Sequence, residues 1–192
     1  NVVLRKAQYR MSENEDICTK ISKNFITGKI FNTRWVIERA IRDYPLRLDT
    51  EKLRQKSVFL YNAIKQIHHC MDTSQLRGIE GEAASVYFSI FDDLILQQKE
   101  DFCFDSRNKR PPLDNVNALL SFCYTLLANE CASACEVVGL DPFVGFLHKD
   151  RPGRVSLALD LMEELRCVFA DRFVLSLINK KIVNASGFSR KE

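Results

Sequence analysis

The sequence predicts an all-α, multi-helix bundle on three observations: only 7 Gly and 5 Pro in 192 residues, few turn-forming pairs, and long stretches whose apolar residues recur at three- and four-residue spacing. No run of alternating apolar and polar residues marks a strand. With 46% hydrophobic and 28% charged residues, the chain is neither disordered nor collagen-like. Its length suits one good-sized domain or a domain with an appendage.

Residues 1–10, with Val2, Val3 and Leu4 ahead of Ala7 and Tyr9, carry the weakest helical pattern and read as a strand or an extended connection. Residues 11–192 form the helical domain. A first helix is expected from about Ser12, a good cap with Glu15 three residues on, toward Tyr44 before Pro45, with Gly28 as a point of bending. A second starts at Asp49 or Thr50 and carries Leu53, Leu60, Ile64 and Ile67 to about His69. A third opens near Thr73 or Ser74 and places Leu76, Ile79, Ala83, Tyr87, Ile90 and Leu94 at helical spacing. Polar residues and Pro111-Pro112 make 99–112 a loop. Asp114 then caps a long central helix through Val138, with Gly139 as its stop. The prolines and glycines of 140–153 make a structured loop, and a last helix runs from about Leu157 toward Ile178. The sum is about five or six helices.

The longest uncharged stretch, Asn115 to Asn129, is 15 residues, short of the ~20 a membrane span needs, so a soluble protein with no membrane partner is expected. No charged-then-apolar leader follows Asn1, and there is no initiating Met, so the chain reads as a fragment or processed form. Seven cysteines, an odd number with no C-x-x-C pair, suggest a reduced, intracellular setting. Cys123, Cys131 and Cys135 share a helix face and read as core packing. The net charge of +3 hides an asymmetry: Asn1 to Lys65 carries 14 Lys and Arg against 7 acids, and the remainder is net −4. A basic front third can attract nucleic acid or be a solvated face.

Three places could carry chemistry. Glu80 lies between Gly78 and Gly81 inside a helical stretch; each glycine costs a helix roughly 1 kcal/mol relative to Ala, so two beside one acid suggest close approach to the backbone, the plain alternative being acids at a helix N-terminus. His148 follows an apolar run in an irregular loop and can be a ligand, a base or a hydrogen-bonded structural residue. His68 and His69, adjacent on a helix, cannot face one site and read as surface residues. Asp160, Glu163 and Glu164 share one side of the last helix, as a solvated acidic face or a ligand set. Carboxylates with one imidazole suit Mg²⁺ or Mn²⁺ better than Zn²⁺, for which no Cys/His spacing exists.

Gly78-Ile79-Glu80-Gly81 with Tyr87 and Phe88, Asn117-Ala118-Leu119-Leu120-Ser121-Phe122, Gly139-Leu140-Asp141-Pro142 leading to Gly145-Phe146-Leu147-His148, and Arg151-Pro152-Gly153 with Leu157-Ala158-Leu159-Asp160-Leu161-Met162-Glu163-Glu164 together resemble the CRISPR-associated integrase family, the catalytic subunit of the spacer-acquisition complex. The resemblance spans about residues 1–172 and includes Lys29, Asn32 and Arg34 of an early-helix motif. It implies that Glu80, His148 and Asp160 are catalytic metal ligands for Mg²⁺ or Mn²⁺, with Glu163 as the position of a second acid. It further implies a homodimer, a small non-catalytic CRISPR-associated partner, and prokaryotic cytoplasm. The reaction implied is phosphodiester transesterification on DNA, inserting captured fragments into a repeat array, with hydrolysis when water replaces the 3′-hydroxyl. Lys29, Arg34, Lys149, Arg151 and Arg154 are candidate DNA contacts. The family's N-terminal β-rich domain is not seen in this sequence. A competing reading is a non-catalytic helical nucleic-acid-binding or assembly module.

Overall fold

The computed structural model describes residues 1–189. Within them lie α1 (Val2–Ser12), α2 (Glu15–Asp43), α3 (Thr50–Ile67), α4 (Thr73–Phe88), α5 (Asn115–Val138), α6 (Ser156–Arg166) and α7 (Arg172–Asn179). No strand occurs among the described residues, in accord with the all-α expectation. A π-turn at Cys167–Asp171 joins α6 to α7 into one continuous run.

α2 is the axis, packing against α3, α4 and α6. Its buried residues Ser22, Ile26, Lys29, Ile30, Thr33 and Ile37 recur at three- and four-residue spacing, so a lysine falls on the face that the apolar residues drive inward. Ile26, Ile30 and Ile37 meet Leu53 and Leu60 of α3 and Leu76 of α4 in one core. The helix continues through Gly28, whose missing Cβ makes room for Glu164 of α6; a methyl there would lie 2.9 Å from the Glu164 side chain.

The N-terminal residues depart from expectation. Residues 2–12 are helical rather than extended: the Asn1 side chain accepts from the Leu4 N–H at 3.3 Å, and the good helix formers Arg5, Lys6, Ala7, Gln8 and Arg10 outweigh Val2 and Val3. Tertiary contacts complete the preference. Gln8, 3% exposed, donates to the carbonyls of Asp141 and Val144, both at 2.8 Å, and accepts from the Asp141 N–H. The Tyr9 hydroxyl donates to Asp141 at 2.7 Å. α1 thus pins the loop that leads to His148. The cap of α2 is consequently Asn14, not Ser12.

α4 stops at Phe88, short of the expected Leu94, because the Asp92 carboxylate accepts from the Phe104 N–H at 2.9 Å and Phe88, Phe91 and Phe104 close into an aromatic cluster that helical continuation would separate. α5 begins and ends as expected, with Asp114 accepting from the Asn117 N–H at 2.7 Å and Gly139 left-handed at φ +87. It meets the length and hydropathy of a membrane span, yet Val116, Leu120, Cys123 and Cys131 face the core. All seven cysteines are free.

Ile37 is fully buried at the centre of α2. Ile37→Ala should cost about 3 kcal/mol through lost transfer energy and a residual cavity. A lowered urea midpoint with unchanged slope, followed by Trp35 fluorescence, is the expected result.

Candidate functional site

The loop after α5 turns back so that three successive backbone N–H groups point at one carboxylate. Phe146 and Leu147 donate to Asp160 Oδ2 at 2.7 and 3.0 Å, and His148 donates to Oδ1 at 2.9 Å. Gly145 permits this approach, since a Cβ there would sit 2.9 Å from Asp160 Oδ2 and from two atoms of Ser156. Asp160 is wholly buried. Its Oδ1 also lies 2.6 Å from His148 Nδ1. A carboxylate acceptor assigns the imidazole proton to Nδ1, which leaves Nε2 as the open lone pair. From the other side, Arg77 of α4 donates to the Leu147 carbonyl.

One turn beyond Asp160, Glu163 meets cations on both oxygens. Arg166 Nη2 donates to Oε1 at 2.7 Å, and Lys29 Nζ stands 2.6 Å from Oε2, off the line of a hydrogen bond. Lys29 Nζ also donates to Glu80 Oε1. One buried ammonium from α2 therefore bridges an acid of α4 and an acid of α6. Burial alone would push the Glu163 carboxyl upward, but Lys29 and Arg166 hold it down at about 2. The same acids, Glu163 before Glu80, hold the Lys29 ammonium above its usual range against its own desolvation.

Among the described residues no three His, Cys, Asp or Glu side chains are already gathered around one metal position. The donor chemistry nevertheless fits a hard divalent cation. Glu80 and Glu163 converge on a positive charge, Glu163 Oε2 is buried without an aligned donor, and His148 keeps one ring nitrogen open. Asp160, expected as a ligand, has both oxygens engaged by backbone amides, so in this geometry it orients His148. Glu164 is exposed; its carbonyl accepts from Asn32 at 2.8 Å.

The expected DNA contacts are dispersed. Lys29 is 6% exposed and serves the acids rather than a DNA-facing surface, because it lies on the buried stripe of α2. Arg34 pairs with Glu38 at 3.1 Å and lies over the Trp35 and Tyr61 rings. Lys149 and Arg151 are exposed and Arg154 half-buried beside the His148 loop, and among the described residues no ion pair engages them. His68 and His69 are exposed at the end of α3.

Sequence reasoning missed Arg107, Lys109 and Arg166. A cavity of about 520 Å³ beside Glu80 is lined by Gly81, Ala84 and Ser85 on one side and by Arg107, Lys109 and Arg166 on the other. Apart from their chain neighbours and the backbone of their own helix, nothing lies within 4 Å of the Cβ positions of Gly78 and Gly81, so the space they leave is open. Partial desolvation, Arg166 and Arg107 push the Lys109 ammonium below its usual pKa, and the opposing charge of Glu163 does not offset them. Arg166 was legible as the i+3 partner of Glu163; Arg107 and Lys109 lie in an aperiodic loop that gives no such signal.

The model for the CRISPR associated protein Cas1 family matches residues 1–192. A CRISPR-associated endonuclease Cas1 of Chlorobaculum tepidum is 50% identical over the whole chain, which spans 56% of that relative's length. Among solved structures, a casposase bound to integration product superposes with TM-score 0.85 at 30% identity, covering 100% of this chain and 51% of that one. A chain of a partial Cas6-RT-Cas1–Cas2 complex superposes with TM-score 0.84 at 25% identity, covering 96% of this chain and 53% of that one. With its whole length matched by the family model and half its residues shared with a relative, the chain belongs to the CRISPR-associated Cas1 family.

Proposed function

We propose that this chain is the catalytic part of a metal-dependent DNA endonuclease and integrase that joins captured DNA fragments into a CRISPR repeat array by transesterification. The observation that carries this reading is the convergence of Glu80 and Glu163, from two helices, on one position of positive charge, while one turn earlier on α6 Asp160 orients His148. Endonuclease relatives and a casposase holding integration product support the reaction class. The same casposase, and the complex that contains Cas2, support DNA and a Cas2-type subunit as partners. A homodimer in prokaryotic cytoplasm completes the proposal.

Glu80, Glu163 and His148 Nε2 would hold Mg²⁺ or Mn²⁺. When bound, the ion would stabilise charge on the phosphoryl oxygens. Asp160 keeps the His148 proton on Nδ1 and fixes the ring. The small residues of α4 admit a strand close to Glu80, and Lys109, Arg107 and Arg166 present cations to its phosphates. Lys149, Arg151 and Arg154 extend positive charge along the His148 side.

The decisive experiment is Mn²⁺-dependent cleavage or joining of a branched DNA, with DNA binding and circular dichroism read on the same samples. Glu80→Gln and Glu163→Gln should each remove turnover and leave folding intact; turnover surviving both would sink the shared-site reading. Asp160→Asn should instead raise the Mn²⁺ requirement about 10–100-fold, as expected of a group acting through a ligand. Gly145→Ala, which drives a methyl into Asp160 and Ser156, should reproduce that shift, and an unchanged Mn²⁺ dependence would detach the loop from the site. Lys109→Gln should weaken DNA binding uniformly across sequences and lower the slope of log K against log salt by about one, measured by fluorescence anisotropy.

A further inference from the structure

Lys29 is the residue whose position the proposed reaction does not explain. A lysine 6% exposed is rare unless paired, and this one is paired twice, with Glu80 and with Glu163 at 2.6 Å. Thr33, one turn on, donates to the Lys29 carbonyl at 2.8 Å, so the backbone beneath the side chain is held as well. Arg166 supplies a second cation to Glu163 at 2.7 Å. Two carboxylates facing two fixed cations are already balanced. Adding a divalent ion to the same oxygens while the ammonium stayed would leave uncompensated positive charge in a desolvated site, where like charges repel far more strongly than in water.

We propose that Lys29 is a tethered cation that occupies the metal position in the metal-free chain, and that its ammonium and the divalent ion compete for Glu80 and Glu163. This rests on the metal-site reading above and adds a regulatory element to it. The acids stay ionised and aligned without metal, and a metal enters only by displacing the lysine. A way out is at hand. A small cavity of about 20 Å³ touching Lys29 shares Ala84, Phe88 and Arg166 with the 520 Å³ cavity beside Glu80. A displaced ammonium thus moves toward the space proposed for phosphate, which ties metal entry to a gain of positive charge where substrate binds.

The test is Mn²⁺ binding by isothermal titration calorimetry, with melting temperature read in parallel, on the unsubstituted chain, Lys29→Gln, Lys29→Arg and Glu163→Gln. Lys29→Gln should bind Mn²⁺ about tenfold more tightly, the effect of ~1.4 kcal/mol of relieved competition, and gain more melting temperature from it. Lys29→Arg should retain the weaker affinity. Equal or weaker binding by Lys29→Gln, while Glu163→Gln still abolishes binding, overturns the competition and leaves the metal site standing. Unaltered binding by Glu163→Gln overturns both. Should Lys29→Gln be unfolded without metal, folding on Mn²⁺ addition supports the proposal, and failure to fold at saturating Mn²⁺ overturns it.

Discussion

The bridge from Lys29 to Glu80 and Glu163 is the constraint around which the bundle is arranged. Isolated buried charges cost several kcal/mol each in desolvation, and pairing them rarely returns more than an apolar core would. An ion set of this kind is therefore poor grounds for stability. What it does is specify geometry: α2 must run between α4 and α6, and each helix must have the rotation that presents one charged residue inward. The apolar stripe of α2 supplies that rotation for Lys29, since Ile26, Ile30 and Ile37 fix the face on which it stands.

A second constraint meets the first one turn along α6. Asp160 gathers three loop amides and the His148 ring, and a loop without regular structure acquires the definition of a helix terminus. The loop is held from two further directions: Gln8 of α1 grips Asp141 and Val144, and Arg77 of α4 grips Leu147. His148 is therefore placed by residues on α1, α4 and α6, while only α6 carries both the acid that orients it and the acid proposed to share its ligand.

Much of this was legible in the residues and some was not. Helix spans in the middle of the chain follow from apolar spacing and strong caps, which is why Asp114 and Gly139 bound α5 as read. α1 escaped because Val2 and Val3 argue locally against helix, whereas the Gln8 clamp that favours it joins residues 133 positions apart. Glu80 and His148 were readable because glycines and a loop set them off. The different surroundings of Asp160 and Glu163 were not, since two acids three apart on one helix look alike until the backbone amides that bind Asp160 are folded against it. Lys29 read as a surface cation for the same reason. Charge suggests exposure, and only the periodicity of α2 says otherwise.

The π-turn after α6 explains how Arg166 is kept in place. Cys167–Asp171 adds a residue to the turn, which rotates the following helix and turns Asp171 wholly inward. There the Tyr124 hydroxyl of α5 donates to it at 2.6 Å. Burial raises the Asp171 carboxyl, and the hydrogen bond from Tyr124 and the charge of Arg166 oppose that rise. The guanidinium of Arg166 lies 4.7 Å from the centre of the same Tyr124 ring while bonding Glu163. Aromatic face, buried acid and site acid thus hold one arginine between them. An ordinary α-helical turn would rotate Asp171 relative to Tyr124 and leave Arg166 with fewer fixed neighbours. The irregularity in the last helix belongs to the same electrostatic arrangement as the lysine at the centre of α2.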